Sequence, residues 1–429
     1  MIFQMTSKSP IEHPRPGYAW TIFFLSIIFN AYAITLQFSP TLRNILAENS
    51  SKVTSTVYAL TGFYYTYAIC QIPVGILIDR YGSRIFPSIG VFLCAGGSLL
   101  MSTATSNLTI VISRAIIGMG AAFSFLNGLK LINNWFQPKK FSYLLGLFVA
   151  ISSFLVVILK LVFKYLVDTQ NWQSAMLVFG LGGLIFACFF FFFVQDAPGA
   201  GFYLHSPVKD KDEFWKNIKN VFNSSQVWVI GIAVGLVIGP LFAFQTIWAI
   251  PFVKLAYNAT NAIAIMFNIL FIFGYAIGAV FFGMVSTSIG KRKMFVVWGT
   301  FIALLMLLII LYPPYLGIQV TSICFFILGF GASNVNIGYT TVHEHNVPQV
   351  TATSIAVVST FYAFFAAITQ SLIAVFLELG SKIHGASEYT TGDYQVSLIR
   401  LPVYIGIAVV FSFFIKETYA KQRQTYSSD

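Results

Sequence analysis

Charge is scarce in this chain. Of its 429 residues only 9% are Asp, Glu, Lys or Arg, while 57% are hydrophobic. That leaves too little polar surface to cover a soluble globule. Apolar and polar residues do not alternate along the apolar segments, which excludes a closed β-barrel. Acids are fewer than bases, 14 against 25, and no acid falls in the middle of an apolar segment. Glu378 lies near one segment end, and Asp79, Asp196 and Glu344 mark others. The four cysteines, Cys70, Cys94, Cys188 and Cys324, are scattered without metal-ligand spacing and read as packing residues. No nucleophile, base and orienting group stand together, so the chain offers no enzyme chemistry, cofactor site or metal site. His343, Glu344 and His345 lack the i, i+4 spacing of a helical metal pair and read as interfacial polar residues.

What is present is a series of twelve apolar segments of roughly 20 residues or more, the length of a membrane-spanning helix. They read as 18–46, 54–78, a third ending near 104, 108–135, 142–167, 172–194, 227–253, 259–285, 294–311, 316–341, 351–379 and 396–415. The net charge of +11 is topological rather than a signal for nucleic acid. With a cytoplasmic amino terminus, Arg80, Arg84, Lys139, Lys140, Lys209, Lys211, Lys216, Lys219, Lys291, Arg292, Lys293, Lys416, Lys421 and Arg423 all fall inside. Lys52 and Lys382 are the clear external cases. The asymmetry predicts both termini in the cytoplasm, and the short tails and compact loops point to a bacterial inner membrane. The polar start through Pro16 precedes a long span and reads as no cleavable signal peptide. Residues 198–225 form the one long polar interruption and divide the chain into bundles 1–197 and 226–429. Within it Phe214, Ile218, Val221 and Phe222 share a helical face opposite lysines, which suits a structural brace or a helix on the anionic leaflet.

Residues 75–84, Gly-Ile-Leu-Ile-Asp-Arg-Tyr-Gly-Ser-Arg, end the second span. Gly75 permits a close helix, Asp79 offers an anion at a helix end, and Arg80 and Arg84 flank the turn at Gly82. A second copy with the same glycine spacing runs from Gly283 to Gly290 and Arg292, displaced by 283 − 75 = 208 residues, with Thr287 at the Asp position. Gln37 and Gln245 are also 208 apart. The chain is therefore an internal duplication. The first copy resembles the signature loop of the major facilitator superfamily, G-x-x-x-D-[RK]-x-G-[RK]-[RK], departing from it at Ser83. Arg114 to Gly120 is similar to a second signature of that superfamily, R-x-x-x-G-x-G. The resemblance implies an all-α fold of twelve transmembrane helices in two pseudo-symmetric six-helix bundles, rocking about a midplane site in alternating access. It implies a small-molecule substrate and one copy acting alone in the bilayer, with a proton as the candidate coupling ion. The run from Lys130 to Gly146 looks like members that import organic anions and small metabolites.

Spans 1, 4, 7 and 10 are the polar ones and are expected to line the cavity. The expected binding residues are Asn30, Tyr32 and Gln37 in span 1, Arg114, Asn127 and Lys130 in span 4, and Lys160 in span 5. Gln245 and Trp248 in span 7 and Asn336 in span 10 complete the set. The surplus of buried cations predicts an anionic or zwitterionic ligand such as an organic acid or amino acid. Arg114 either holds that anion or snorkels outward. Lys130 lies about 24 Å from it along an ideal helix and roughly 160° around, so a straight helix cannot aim both at one ligand. Gly75, Asp79, Arg80, Gly82, Arg84, Gly283 and Gly290 are the expected gate. Rival readings are a multidrug exporter, against which the absence of proline from 142–167 weighs, and a receptor without transport.

Overall fold

In a bilayer every backbone polar group must be satisfied within the chain, so a sequence this apolar has to fold into helices. The computed structural model describes residues 16–39, 53–197, 211–312, 317–384 and 389–423. Among these there is no strand, and 12 helical stretches are long and apolar enough to cross a membrane. The first half holds α1 (Pro16–Phe38), α2 (Val53–Tyr81), α3 (Ile85–Ser102), α4 (Asn107–Trp135), α5 (Phe141–Thr169) and α6 (Trp172–Phe193). A linker helix, α7 (Lys211–Asn223), leads to the second half.

There the seventh span is α8 (Ser225–Ala243), one π-helical turn (Phe244–Trp248) and α9 (Ala249–Ala256). The eighth and ninth are α10 (Asn261–Ile289) and α11 (Lys293–Leu311). The tenth is broken into α12 (Ile318–Ala332) and α13 (Val335–His345), the eleventh is α14 (Thr351–His384), and the twelfth is α15 (Thr391–Leu398) with α16 (Arg400–Ser412). Helix α1 ends at Phe38, and residues 40–46 of the expected first span lie outside the described residues. Pro40, Lys52, Lys209 and the start of the linker lie outside the described residues.

The halves meet along two seams, α2 against α14 and α5 against α10. Both seams depend on a missing side chain. A Cβ on Gly75 would come 2.7 Å from the Ala356 Cβ and 2.9 Å from the Ala352 carbonyl oxygen. One on Gly283 would come 2.6 Å from the Ser142 carbonyl oxygen. These are the two repeat-related glycines, each at a crossing between halves, where small residues let backbones touch. Gly82 and Gly290 instead turn the chain at φ 91° and 71°. The Phe189–Phe193 run does not simply face lipid. Phe189, Phe192 and Phe193 are exposed, but Phe190 is buried edge-on against Phe29. Cys188 is likewise exposed, while Cys94 and Cys324 are buried as packing residues.

Helix α7 is a brace. Phe214, Ile218 and Val221 are buried against the protein, where α7 packs on α8 and on the turn Pro348–Val350 that precedes α14. Lys216 and Lys219 stay exposed, and Trp215 stacks under the Arg80 guanidinium at 5.7 Å.

At the same end the second half is tied by a buried ion pair. Arg292 Nη2 lies 2.7 Å from Glu344 Oε1. Its Nη1 donates to Ser286 Oγ at 2.6 Å, Thr287 Oγ1 at 3.0 Å and, across the seam, Ser142 Oγ at 3.4 Å. The segment after α16 closes this cluster. The Glu417 carboxylate accepts from the backbone N–H of Arg292 and Lys293, capping α11, and Thr418 Oγ1 donates to Glu344. Arg292→Met leaves Glu344 buried without its cation and is expected to cost about 3–5 kcal/mol. Lys382→Met removes an exposed pair with Glu378 and should cost less than about 1 kcal/mol. Thermal unfolding of the detergent-solubilised protein measures both, and similar losses would contradict the assignment.

Candidate functional site

Between the halves lies a cavity of about 120 Å³, lined by α1, α2, α4 and α5 from one side and α8, the π turn, α10, α13 and α14 from the other. Five of the ten expected binding residues stand on its wall: Asn30, Gln37, Lys160, Gln245 and Asn336. Two irregularities in the helices build the part of the wall that carries Gln37 and Gln245. The last carbonyls of a helix lack donors within that helix, and α1 ends at Phe38. Arg114 supplies one, its Nη1 donating to the Leu36 carbonyl at 2.7 Å and the Gln37 carbonyl at 3.1 Å. With this anchor the Gln37 amide donates to the hydroxyls of Tyr64 and Tyr362, both at 2.8 Å. Tyr362 belongs to the other half, so this contact also bridges the halves.

In the repeat-related position the backbone widens into the π turn, closed by the Ala249 N–H on the Phe244 carbonyl. Such turns leave carbonyls short of donors and occur often at functional sites. Here Asn268 of α10 donates to the Gln245 carbonyl at 2.9 Å. The Gln245 side chain is buried on the cavity wall, and neither its Nε2 nor its Oε1 has a hydrogen-bond partner in the protein.

The other five expected residues lie off the wall, each for a physical reason. Arg114 is buried behind the wall, capping α1. It precedes the lining residue Ala121 by about 10 Å of helix. Lys130 follows Phe125 by about 8 Å on the far side and is a floor residue. Asn127 is fully buried below Ser124, near the same floor. Tyr32 turns into its own half, its hydroxyl donating to the Phe179 carbonyl at 3.0 Å. Trp248, the last residue of the π turn, is buried and does not line the cavity.

The floor corrects the expectation that Lys130 lacks an acid at its depth. Lys130 Nζ lies 2.6 Å from Asp79 Oδ1 and donates to the carbonyls of Pro348 and Gln349 at 3.2 and 3.1 Å. The Asp79 carboxylate also accepts from the backbone N–H of Ala352 and Thr353 and from Thr353 Oγ1 at 3.1, 2.7 and 2.8 Å. An anion of the first half thus sits on the N-terminus of α14 in the second, where the helix dipole favours it. Beside it the His343 ring stacks on Phe141 at 3.8 Å, and Phe125 meets Tyr339 at 4.9 Å.

The flanking arginines do not reach the other half through these bonds. Arg84 Nε donates to the Phe191 carbonyl at 2.9 Å within its own half, and Arg80 covers Tyr81 and Trp215. Asp196 accepts from the Ser83 N–H under Gly82. Burial holds its carboxyl above the usual carboxylate range against the pull of the Ser83 and Arg84 backbone donors.

The model of the Major Facilitator Superfamily matches residues 19–370. The chain belongs to that superfamily. Its members are transporters, and this one is a multi-pass membrane transporter rather than an enzyme. It is 24% identical to the "Uncharacterized transporter YybO" of Bacillus subtilis over 57% of this chain and 59% of that protein, so the chain spans about six-tenths of that relative. It is 20% identical to the "Probable galactarate/D-glucarate transporter GudP" of Bacillus subtilis over 90% of this chain and 92% of that one. The solved structure of the proton:xylose symporter XylE bound to 6-bromo-6-deoxy-D-glucose matches with a TM-score of 0.73. That match covers 94% of this chain and 97% of XylE at 14% identity, and at this identity it speaks for the fold alone.

Sequence reasoning missed most of the aromatic wall, including Tyr67, Phe242, Tyr275 and Tyr362, because aromatic residues in apolar spans look like lipid-facing bulk. It also missed Asn268, an isolated amide in an apolar span whose burial cost was a usable signal. The floor leads to an unequal pair of seams. Asp79 takes four hydrogen bonds, whereas its counterpart Thr287 donates to its own Gly283 carbonyl and accepts from Arg292. Asp79→Asn is therefore expected to slow transport by more than about tenfold, equivalent to roughly 1.4 kcal/mol, and Thr287→Ala by much less. Equal losses in a transport assay on reconstituted protein would contradict this.

Proposed function

We propose that the protein takes up a small organic anion across a bacterial inner membrane by alternating access, with both termini and the Asp79 floor at the cytoplasmic side. The observation that carries this reading is Lys160. Among the described residues lining the cavity it is the only Lys, Arg, His, Asp or Glu. Its ammonium rests over the Phe38 ring at 4.0 Å, with no acid on the wall to answer it. A desolvated ammonium favours an anion as partner. The naming of GudP for galactarate and D-glucarate supports an anionic substrate, and the clustering of Arg84, Lys140, Arg292 and Lys416 at the floor end supports the orientation.

The Asp79–Lys130 floor serves as the inner gate, which must come apart for release. The Asp79–Lys130 pair itself stays within the first half, while its bonds to Pro348, Gln349, Ala352 and Thr353 run to the second, so rocking one half against the other breaks these together. Transport by one copy, with a proton as the coupled ion, completes the proposal. Export of lipophilic compounds is the second reading, favoured by the aromatic wall.

Uptake of radiolabelled D-glucarate and smaller carboxylates into proteoliposomes tests the anionic reading. Lys160→Gln should weaken the anion that the wild type accepts by roughly 2 to 5 kcal/mol, the scale for losing one partner of a desolvated charge pair. Arg114→Gln should act mainly by lowering stability, because its guanidinium holds α1 rather than the ligand. Wild-type affinity in Lys160→Gln, or a cation as best substrate, would overturn the proposal.

Cysteines placed at Gln37 and at Gln245 test the wall separately. Both should react with small water-soluble thiol reagents and be protected by the transported anion. Protection of both sites without ligand would contradict the assignment.

A further inference from the structure

The cavity wall is mostly apolar, and one polar atom of each of four wall amides is engaged within the protein, which restricts what the cavity can take. Asn30 Oδ1 accepts from Ser124, Gln37 Nε2 serves two tyrosines, Asn268 Nδ2 holds the Gln245 carbonyl and Asn336 Nδ2 holds the Ser333 carbonyl. Two buried polar side chains on the wall remain without a protein partner, Gln245 at 7% exposure and Ser152 at 1%. They lie on opposite halves. Much of the remaining wall is aromatic: nine of its 25 residues are Phe or Tyr. Phe242 is their hub, with ring centroids 6.1 Å from Phe38, 5.8 Å from Tyr275 and 6.0 Å from Tyr362, which in turn lies 6.0 Å from Tyr67.

We infer that the ligand is a monocarboxylate with an apolar or aromatic body and one further hydrogen-bonding group, its carboxylate at Lys160 and that group at Gln245. The inference rests on the anionic reading above and narrows it. A sugar acid would bury a hydroxyl on nearly every carbon against a wall of which 16 of 25 residues are Phe, Tyr, Ala, Val or Ile, so several hydroxyls would lack a partner. A second carboxylate would have no second cation among the described lining residues. An apolar body instead lies against aromatic faces, where offset and edge contacts add to the gain from burial. The cavity of about 120 Å³ is on the scale of the roughly 150 Å³ that admits benzene, so the body is one ring or a short branched chain.

The same wall explains what Lys160 does without ligand. Its ammonium over Phe38 is a cation–π contact. A carboxylate is the stronger partner and displaces it without leaving the cation bare. Gln245 combines a donor and an acceptor, so it can pair with a hydroxyl, oxo or amino substituent.

Thermal-shift titration of the purified full chain in detergent tests this, since a ligand that binds the folded state raises the melting temperature. The probes are phenylacetate, mandelate (phenylacetate with a 2-hydroxyl), phenylacetamide, D-gluconate and D-glucarate. The expected result is stabilisation by mandelate above phenylacetate, and none by phenylacetamide or the two sugar acids at the same concentration. Lys160→Gln should weaken both aromatic carboxylates by about tenfold or more. Gln245→Leu should erase the advantage of mandelate over phenylacetate, and a single cooperative melting transition without ligand shows that this variant is folded.

If D-gluconate or D-glucarate stabilises at lower concentration than mandelate, the narrower inference fails and the anionic reading stands. If phenylacetamide equals phenylacetate and Lys160→Gln changes neither, the anionic reading fails as well. No shift from either aromatic carboxylate at millimolar concentration also overturns the inference.

Discussion

A chain in hydrocarbon cannot leave a backbone carbonyl without a donor, and this constraint shapes both the fold and the site. It forces the spans to be helices, and wherever a helix is interrupted it demands a side chain to repair the break. The end of α1 is repaired by Arg114 and the π turn after α8 by Asn268. These breaks sit at Gln37 and Gln245, the repeat-related pair on the cavity wall. The irregular backbone that places the binding groups is tolerated because it faces protein and cavity rather than lipid.

Charge follows the same economy. Of the cations buried in the first half, Arg114 is held by carbonyls and Lys130 by Asp79 and two carbonyls. In the second half Arg292 is held by Glu344. Each acts as a structural tie, two of them at the floor end where the halves meet. Lys160, with an aromatic ring for a partner, is the cation left to the cavity. The sign of the ligand therefore depends less on how many bases the spans contain than on which of them the fold has already neutralised.

The duplication is faithful in its backbone and unfaithful in its chemistry. Gly75 and Gly283 perform the same task at the two seams. Asp79 and Thr287 do not, since the first places a full negative charge on the amino end of α14 and the second places a hydroxyl in reach of Arg292. One seam is thus held by charge and helix dipole, while the other is held by packing and the contact of Arg292 with the Ser142 hydroxyl. Rocking motions about such a pair start from unequal resistance.

The sequence by itself determined the membrane class, the twelve spans, the duplication and the glycines of both seams, because each is written in local composition or in a fixed spacing. It also nominated Lys160, Asn30, Asn336 and the glutamine pair, since a polar residue deep in an apolar span has few places to go. Only the tertiary structure decided which cation meets which acid. Asp79 and Lys130 are 130 − 79 = 51 residues apart and come together only through helix packing. Tertiary structure likewise separated Tyr32, Asn127 and Trp248 from the cavity and brought Tyr67, Phe242 and Tyr362 to it. The physical reason is that a helical face is fixed by spacing alone, whereas what that face touches depends on how neighbouring helices are rotated and where their backbones break.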